Sequence, residues 1–322
     1  MDSFFKFNPL LKQTIWGGGR IVPFKRLGGE ADGVGESWEV SGVEGSQTTV
    51  AGGSRDGVAT NDLVAEFGAD LLGADNYSRF GNEFPLLVKF IDAARDLSVQ
   101  VHPDDATARR LGRGRGKTEM WYVMDSAPEA SMMVGLKRSV TPEEFKELVA
   151  DGSICDALCR YSVAEGDCFY IPAGRIHSIG AGCFLAEIQQ TSDVTYRVYD
   201  FNRKDKDGNP RQLHTQEAAE AVDCEAKGDY RTAYRRERNQ GVELVRSDFF
   251  TTAVYDIDEP MSLDYSELDS FVLLVGVGGE CSLAFGDGTQ TTLRAGETVL
   301  LPATTGVVVA SGEGKFLETY IG

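Results

Sequence analysis

The chain has 322 residues, a formal net charge of -18, a 42% hydrophobic fraction, and six cysteines with no CxxC pair among them. So acidic a chain lacks the basic face that nonspecific binding to nucleic acid or an anionic membrane requires, which excludes both as partners. No apolar run approaches the roughly 20 residues of a membrane helix, and the first residues lack a basic segment followed by an apolar one, so the expectation is a cytoplasmic globular chain with free thiols.

Alternation bounded by Gly, Pro and Asp predicts strands over 37–41, 85–92, 97–102, 119–124, 131–134, 168–171, 183–191, 194–201, 270–275, 281–285, 298–301 and 307–310. Helical patterning is confined to 61–72 with Asn61 as its cap, to 141–150 opening on Thr141-Pro142-Glu143-Glu144, and to 215–222. Residues 203–211 read as a basic turn and 225–239 as a charged connector. Many short strands with few helices predict an all-β fold with minor helices, of the sandwich or barrel kind.

A ten-residue unit occurs twice. Residues 164–173 match 294–303 at a constant offset of 130, with Gly166 on Gly296, Asp167 on Glu297 and Pro172 on Pro302. The copies differ where chemistry would sit, because His177 in the first corresponds to Val307 in the second. The stretch from Gly166 through Pro172 and Gly174 to His177 resembles the second cupin motif. That resemblance implies two cupin-like jelly-roll β-barrels, a catalytic unit over 1–237 and a degenerate one over 238–322.

Strand alternation places Ser98, Gln100 and His102 on one face of 97–102, with Leu97, Val99 and Val101 behind them. The same alternation puts Lys117, Glu119 and Trp121 on one face, and a lysine beside a carboxylate inside a barrel is costly unless something binds there. Gln100, His102, Glu119 and His177 together offer two imidazoles, a carboxylate and an amide oxygen. Such a set suits Zn²⁺ or another first-row divalent ion, and two histidines with a carboxylate also fit a non-haem iron oxygenase.

Residues 97–105, 116–121, 172–177 and 187–203, with Ile15-Trp16-Gly17-Gly18, Gly35-Glu36-Ser37-Trp38 and Arg211-Gln212-Leu213-His214, resemble the short-form class I mannose-6-phosphate isomerase family. Ser192-Asp193-Val194-Thr195-Tyr196-Arg197 is the most specific part of the likeness. The resemblance implies one zinc ion per chain on Gln100, His102, Glu119 and His177, with Gln100 the variable member. It implies an active-site arginine at Arg197, and proton-transfer or substrate-binding roles for Lys117 and Glu187. The implied activity interconverts mannose 6-phosphate and fructose 6-phosphate through a cis-enediol, with Arg197, Lys89 and Ser98 as candidates for the anionic end of the sugar phosphate. Lys117, Glu187 and a metal-bound water stand unranked as acid and base. Trp16 and Trp38 read as packing residues and His214 as a hydrogen bonder at a helix entry. Two other readings compete: a different metal-dependent cupin enzyme, and a sugar-binding regulatory module without turnover.

Overall fold

In the computed structural model, which describes residues 1–204 and 208–322, the alternating stretches pair into antiparallel sheets. Residues 205–207 of the predicted basic turn lie outside the described residues. A six-stranded sheet runs in the order Cys168–Ile171, Glu119–Ser126, Cys183–Gln190, Leu86–Asp92, Val34–Val40, Leu10–Gly18. A five-stranded sheet runs Tyr196–Tyr199, Val99–Val101, His177–Ile179, Ser131–Leu136, Leu158–Ser162. Their apolar faces share one core: Ile91, Trp121, Val123, Phe169 and Leu185 of the first sheet pack with Met132, Val134 and Ile179 of the second. This is the two-layer arrangement of a jelly roll, in which inward residues alternate with outward ones along each strand.

The third sheet has seven strands, built around the two 14-residue strands Val272–Phe285 and Val307–Tyr320. The sequence predicts two strands over 270–285; they are one. Val272–Val275 pairs with Thr298–Leu301 and Glu280–Ala284 with Gln290–Arg294, the switch falling at an irregularity between Gly276 and Gly278. Glycine tolerates the bend and Gly279 has φ +59°, so a pattern that looks like a break is a bulge. The internal repeat is structural as well: Gly166 and Gly296 take the same left-handed turn, with φ +81° and +84°, before strands Cys168–Ile171 and Thr298–Leu301.

The third sheet shares its interior with the amino-terminal part of the chain. Phe5 pairs with Leu300, and one core cluster joins Phe5, Val40, Phe84 and Phe90 to Phe250, Phe271, Leu273, Leu300 and Leu317. Each such side chain contributes about 1.5–3 kcal/mol by its burial, so the contact is a shared interior rather than a docking face.

Helix Pro142–Ala150 begins as its capping signal predicts, with the Thr141 hydroxyl accepting from the Glu144 amide at 3.1 Å. Asn61 does not cap. The helix starts at Thr60 after Ala59, and Asn61 instead ties Gly42 to Phe84, donating to the Gly42 carbonyl at 2.9 Å and accepting from the Phe84 amide at 3.0 Å. The predicted helix 61–72 is also broken at Gly68, φ +53°, into Thr60–Phe67 and Ala69–Leu72. Among the described residues no helix is long and apolar enough to cross a membrane.

Candidate active site and metal centre

The five-stranded sheet brings Gln100 beside both His177 and Arg197, which are its cross-strand neighbours. His102 follows directly on strand Val99–Val101, and its backbone carbonyl accepts from the Gly174 amide at 2.8 Å, so the turn before His177 lies against His102. Glu119 enters from the facing sheet as the first residue of Glu119–Ser126. His102, Glu119 and His177 are each at most 1% exposed, and their ligand atoms lie within 4.8 Å of one another.

Each imidazole is oriented by a carbonyl. Nδ1 of His102 lies 2.8 Å from the Val194 oxygen and Nδ1 of His177 lies 2.7 Å from the Arg175 oxygen. A carbonyl can only accept, so the ring proton is assigned to Nδ1, and each Nε2 lone pair faces a donor, Lys117 Nζ at 3.4 Å for His102 and Gln100 Nε2 at 3.3 Å for His177. The two Nε2 atoms flank the carboxylate, each 3.5 Å from one oxygen of Glu119. Burial pushes both histidines below the ordinary imidazole value, reinforced at His102 by the positive charge of Lys117. Neutral imidazole is the form that binds metal.

Glu119 Oε1 is buried and has no hydrogen-bond partner among the described residues. An orphaned carboxylate oxygen clustered with two imidazole lone pairs is an anionic, donor-rich point that a divalent cation satisfies, so the residues fit the metal centre. Gln100 Nε2 stands 3.3 Å from His177 Nε2. Turned the other way, the same amide presents its oxygen at that place, because the two ends are interchangeable in shape.

Beside the centre runs a row of alternating charge. Trp38, Lys89, Glu187 and Trp121 are successive cross-strand neighbours in the six-stranded sheet. Lys89 Nζ lies 3.2 Å from Glu187 Oε1 and 3.8 Å from Glu36, and sits over the Trp38 ring at 5.1 Å. Trp121 Nε1 donates to Glu187 Oε2 at 3.0 Å. Lys117 Nζ reaches Glu119 Oε2 at 2.5 Å and Glu187 Oε1 at 3.6 Å. Burial would lower the Lys89 ammonium, but Glu36 and Glu187 outweigh it and raise it, so it stays charged. Burial would raise the Glu119 carboxyl, but Lys117 and His177 outweigh it and hold it below its ordinary value.

A cleft of about 530 Å³ opens onto this row, lined by Lys89, Ser98, Gln100, Lys117, Glu187 and Arg197 among others. All nine residues singled out in the sequence therefore meet in one place, six on the cleft wall and His102, Glu119 and His177 buried against Gln100 and Lys117. Asp200 is taken by Arg203 and Arg211, while Arg197 Nη1 donates to the Gln212 carbonyl at 2.9 Å. Arg197 Nε is buried without an acceptor among the described residues.

Arg211, Glu36, Asp193 and Trp16 also line the cleft. The first three fall within the stretches that carry the family resemblance, but sequence reasoning gave them no role at the site. Trp16 was legible as packing, and it is both: 6% exposed, in the core cluster and on the cleft wall. With a net charge of -18, an anionic ligand depends on these local cations.

Two family models match the chain: phosphomannose isomerase type I, catalytic domain, over residues 4–136, and mannose-6-phosphate isomerase, cupin domain, over residues 241–321. Among curated proteins the chain is 31% identical to mannose-6-phosphate isomerase ManA of Bacillus subtilis over 98% of both chains. It is 35% identical to mannose-6-phosphate isomerase of Streptococcus mutans over 91% of this chain and 90% of that one. Among solved structures, mannose 6-phosphate isomerase from Bacillus subtilis superposes with a TM-score of 0.88 at 28% identity, covering 99% of each chain. The apo form of the Salmonella typhimurium enzyme shares the fold at 17% identity, with a TM-score of 0.80 over both full chains.

Proposed function

The chain belongs to the type I phosphomannose isomerase family, and from that premise we propose that it is a metal-dependent aldose–ketose isomerase interconverting mannose 6-phosphate and fructose 6-phosphate. The observation that carries the proposal is the orphaned Glu119 oxygen in a buried cluster with the His102 and His177 imidazoles, their ligand atoms within 4.8 Å of one another, directly behind a cleft walled by a second, differently held carboxylate, Glu187. We assign His102, Glu119 and His177, with Gln100 through its amide oxygen, to a single zinc ion. Bound there, the ion supplies Lewis acidity toward the sugar's carbonyl and hydroxyl oxygens.

The isomerisation moves a proton from C2 of the open aldose to C1 of the ketose and the hydroxyl proton from O2 to O1, with the electron pair passing through a cis-enediol. Of the two candidate side chains, Glu187 suits the base and Lys117 the donor. The Trp121 indole fixes one oxygen of Glu187 and leaves the other, Oε1, facing only ammonium groups, where it takes the C2 proton and returns it to C1. A positioned base of this kind contributes roughly 10²–10⁴-fold. Lys117, charged and fixed by Glu119, faces the oxygens on which negative charge grows. Lys89 lines the cleft, but Glu187 and Glu36 occupy its charge, so we give it the holding of Glu187 rather than of the phosphate. Arg197, with Ser98 beside it on the cleft wall, is then left for the anionic end of the substrate or the developing oxyanion, which a planar guanidinium grips well.

The test is a coupled assay of mannose 6-phosphate conversion on metal-stripped protein and on the same protein reloaded with zinc. Turnover should vanish on stripping and return on loading. Binding of the sugar phosphate without turnover in zinc-loaded protein would favour a sensor instead and overturn the proposal.

A further inference from the structure

Arg197 stands on a sheet edge. Strand Tyr196–Tyr199 is the outermost strand of its sheet and, among the described residues, pairs only with Val99–Val101. On its free side the returning segment 212–214 closes on Arg197 through three bonds. The His214 amide donates to the Arg197 carbonyl at 2.8 Å, the Arg197 amide donates to His214 Nδ1 at 3.2 Å, and Arg197 Nη1 donates to the Gln212 carbonyl at 2.9 Å.

His214 occupies the N-cap position of helix Thr215–Ala221, yet its side chain makes no capping bond there. Its acceptor nitrogen serves the arginine backbone instead. The fold also ties down the start of the segment, since Asp200 on one side accepts from Arg211 Nε at 2.7 Å on the other. A guanidinium with one nitrogen anchored to a carbonyl and a buried Nε lacking an acceptor among the described residues is fixed in place and ready for an oxyanion.

We propose that His214 is a positioning residue for Arg197, holding strand edge and guanidinium in register with the cleft so that Arg197 meets the anionic substrate. This rests on the reading of Arg197 as a substrate contact. The imidazole acts as a hydrogen-bond acceptor at Nδ1, so an acceptor of similar reach should replace it and a hydrocarbon of similar bulk should not.

The experiment compares His214→Leu, His214→Asn, Arg197→Ala and the double variant His214→Leu/Arg197→Ala, each loaded with zinc, by steady-state kinetics and metal content. His214→Leu should lower kcat/KM by about 10- to 100-fold, the scale of a misplacement of about 1 Å, with zinc content unchanged. His214→Asn should restore most of that loss through its side-chain oxygen. The double variant should be no worse than Arg197→Ala alone, because a residue acting only through Arg197 has nothing left to position. The proposal is overturned if His214→Asn is as poor as His214→Leu, or if the two losses multiply in the double variant, which is what a general weakening of the fold would give. Full activity in Arg197→Ala would sink the reading of Arg197 itself, a result distinct from a crippled Arg197→Ala beside a fully active His214→Leu.

Discussion

Replacing Lys117 with Met should destabilise the metal-free protein and leave the zinc-loaded protein nearly unharmed. Lys117 is 4% exposed and Glu119 is fully buried, 2.5 Å apart. Without the ammonium, Glu119 keeps only neutral imidazoles for company, whereas Glu187 still has Lys89 at 3.2 Å and Trp121 at 3.0 Å. Removing one partner of a buried pair costs about 3–5 kcal/mol. A second limit applies, because the stranded carboxyl can take up a proton. From an ordinary value near 4.5 this costs about 3.4 kcal/mol at pH 7, at about 1.4 kcal/mol per pH unit. The expected loss at pH 7 is therefore about 3 kcal/mol.

The pH dependence has a definite sign. In the native protein the Glu119 carboxyl lies below its ordinary value, so the stability it contributes is present above about pH 4.5 and lost as pH falls through the lowered folded value. In the variant, burial without Lys117 raises the folded value, so the variant regains stability as pH falls toward it. The gap between the two proteins should shrink by up to about 2.7 kcal/mol from pH 7 to pH 5, two pH units at about 1.4 kcal/mol each. Urea unfolding of metal-free protein at both pH values, repeated with zinc at pH 7, measures it. A gap that is the same at pH 5 and pH 7, or the same with and without zinc, would refute the reasoning.

Three further outcomes are expected. His177→Ala should lose both bound metal and isomerase turnover while keeping its circular dichroism spectrum; retained zinc with turnover would contradict the ligand assignment. Trp121→Phe removes the indole donor from Glu187 but keeps a ring edge beside His177, so kcat should fall about 10- to 100-fold with zinc content intact, the equivalent of about 1.5–3 kcal/mol for a hydrogen bond to a charged group. Stopped-time assays with metal analysis check this, and loss of the metal alongside activity would count against it. Gly35→Ala would place a Cβ 2.1 Å from Thr14 Oγ1 and 2.6 Å from the Trp16 ring, both on the cleft wall. It should cost about 1–3 kcal/mol of stability and raise KM, and an unshifted urea midpoint would show that the strand yields more easily than its packing implies.

The chemistry was more legible in the sequence than the scaffolding around it. Gln100 and His102, Lys117 and Glu119, and His177 all reveal themselves within a few residues, through strand alternation or through comparison of the two repeated units. Their partners are set by register across sheets. The pairing of Trp121 with Glu187 spans 66 positions, and that of Lys89 with Glu187 spans 98, so local pattern cannot disclose either. Edge strand Leu10–Gly18 was missed because its outward Leu11, Gln13 and Ile15 blur the alternation. Helix Asp105–Arg110, capped by Asp104 accepting from the Thr107 amide at 2.7 Å, was not foreseen, because Pro103 and two aspartates look like a turn. Asn61 misled for the opposite reason: a good capping residue was used for a tertiary bridge. Lys89 was visible as a candidate for the anionic end of the substrate, but only the cross-strand row shows that carboxylates already claim it.

The pairing of Phe5 with Leu300 sets an order on biogenesis. At translation rates of roughly 5–20 residues per second, the 295 residues between them take roughly 15–60 s to emerge, during which the first strands lack the surface they pack on. The nascent chain must carry Phe5, Phe84 and Phe90 unsatisfied until its last strands leave the ribosome. Depletion of chaperones that shield apolar segments during synthesis should therefore damage this chain more than one whose amino-terminal unit closes its core on its own, and a stop codon after residue 240 should yield aggregate rather than a smaller enzyme.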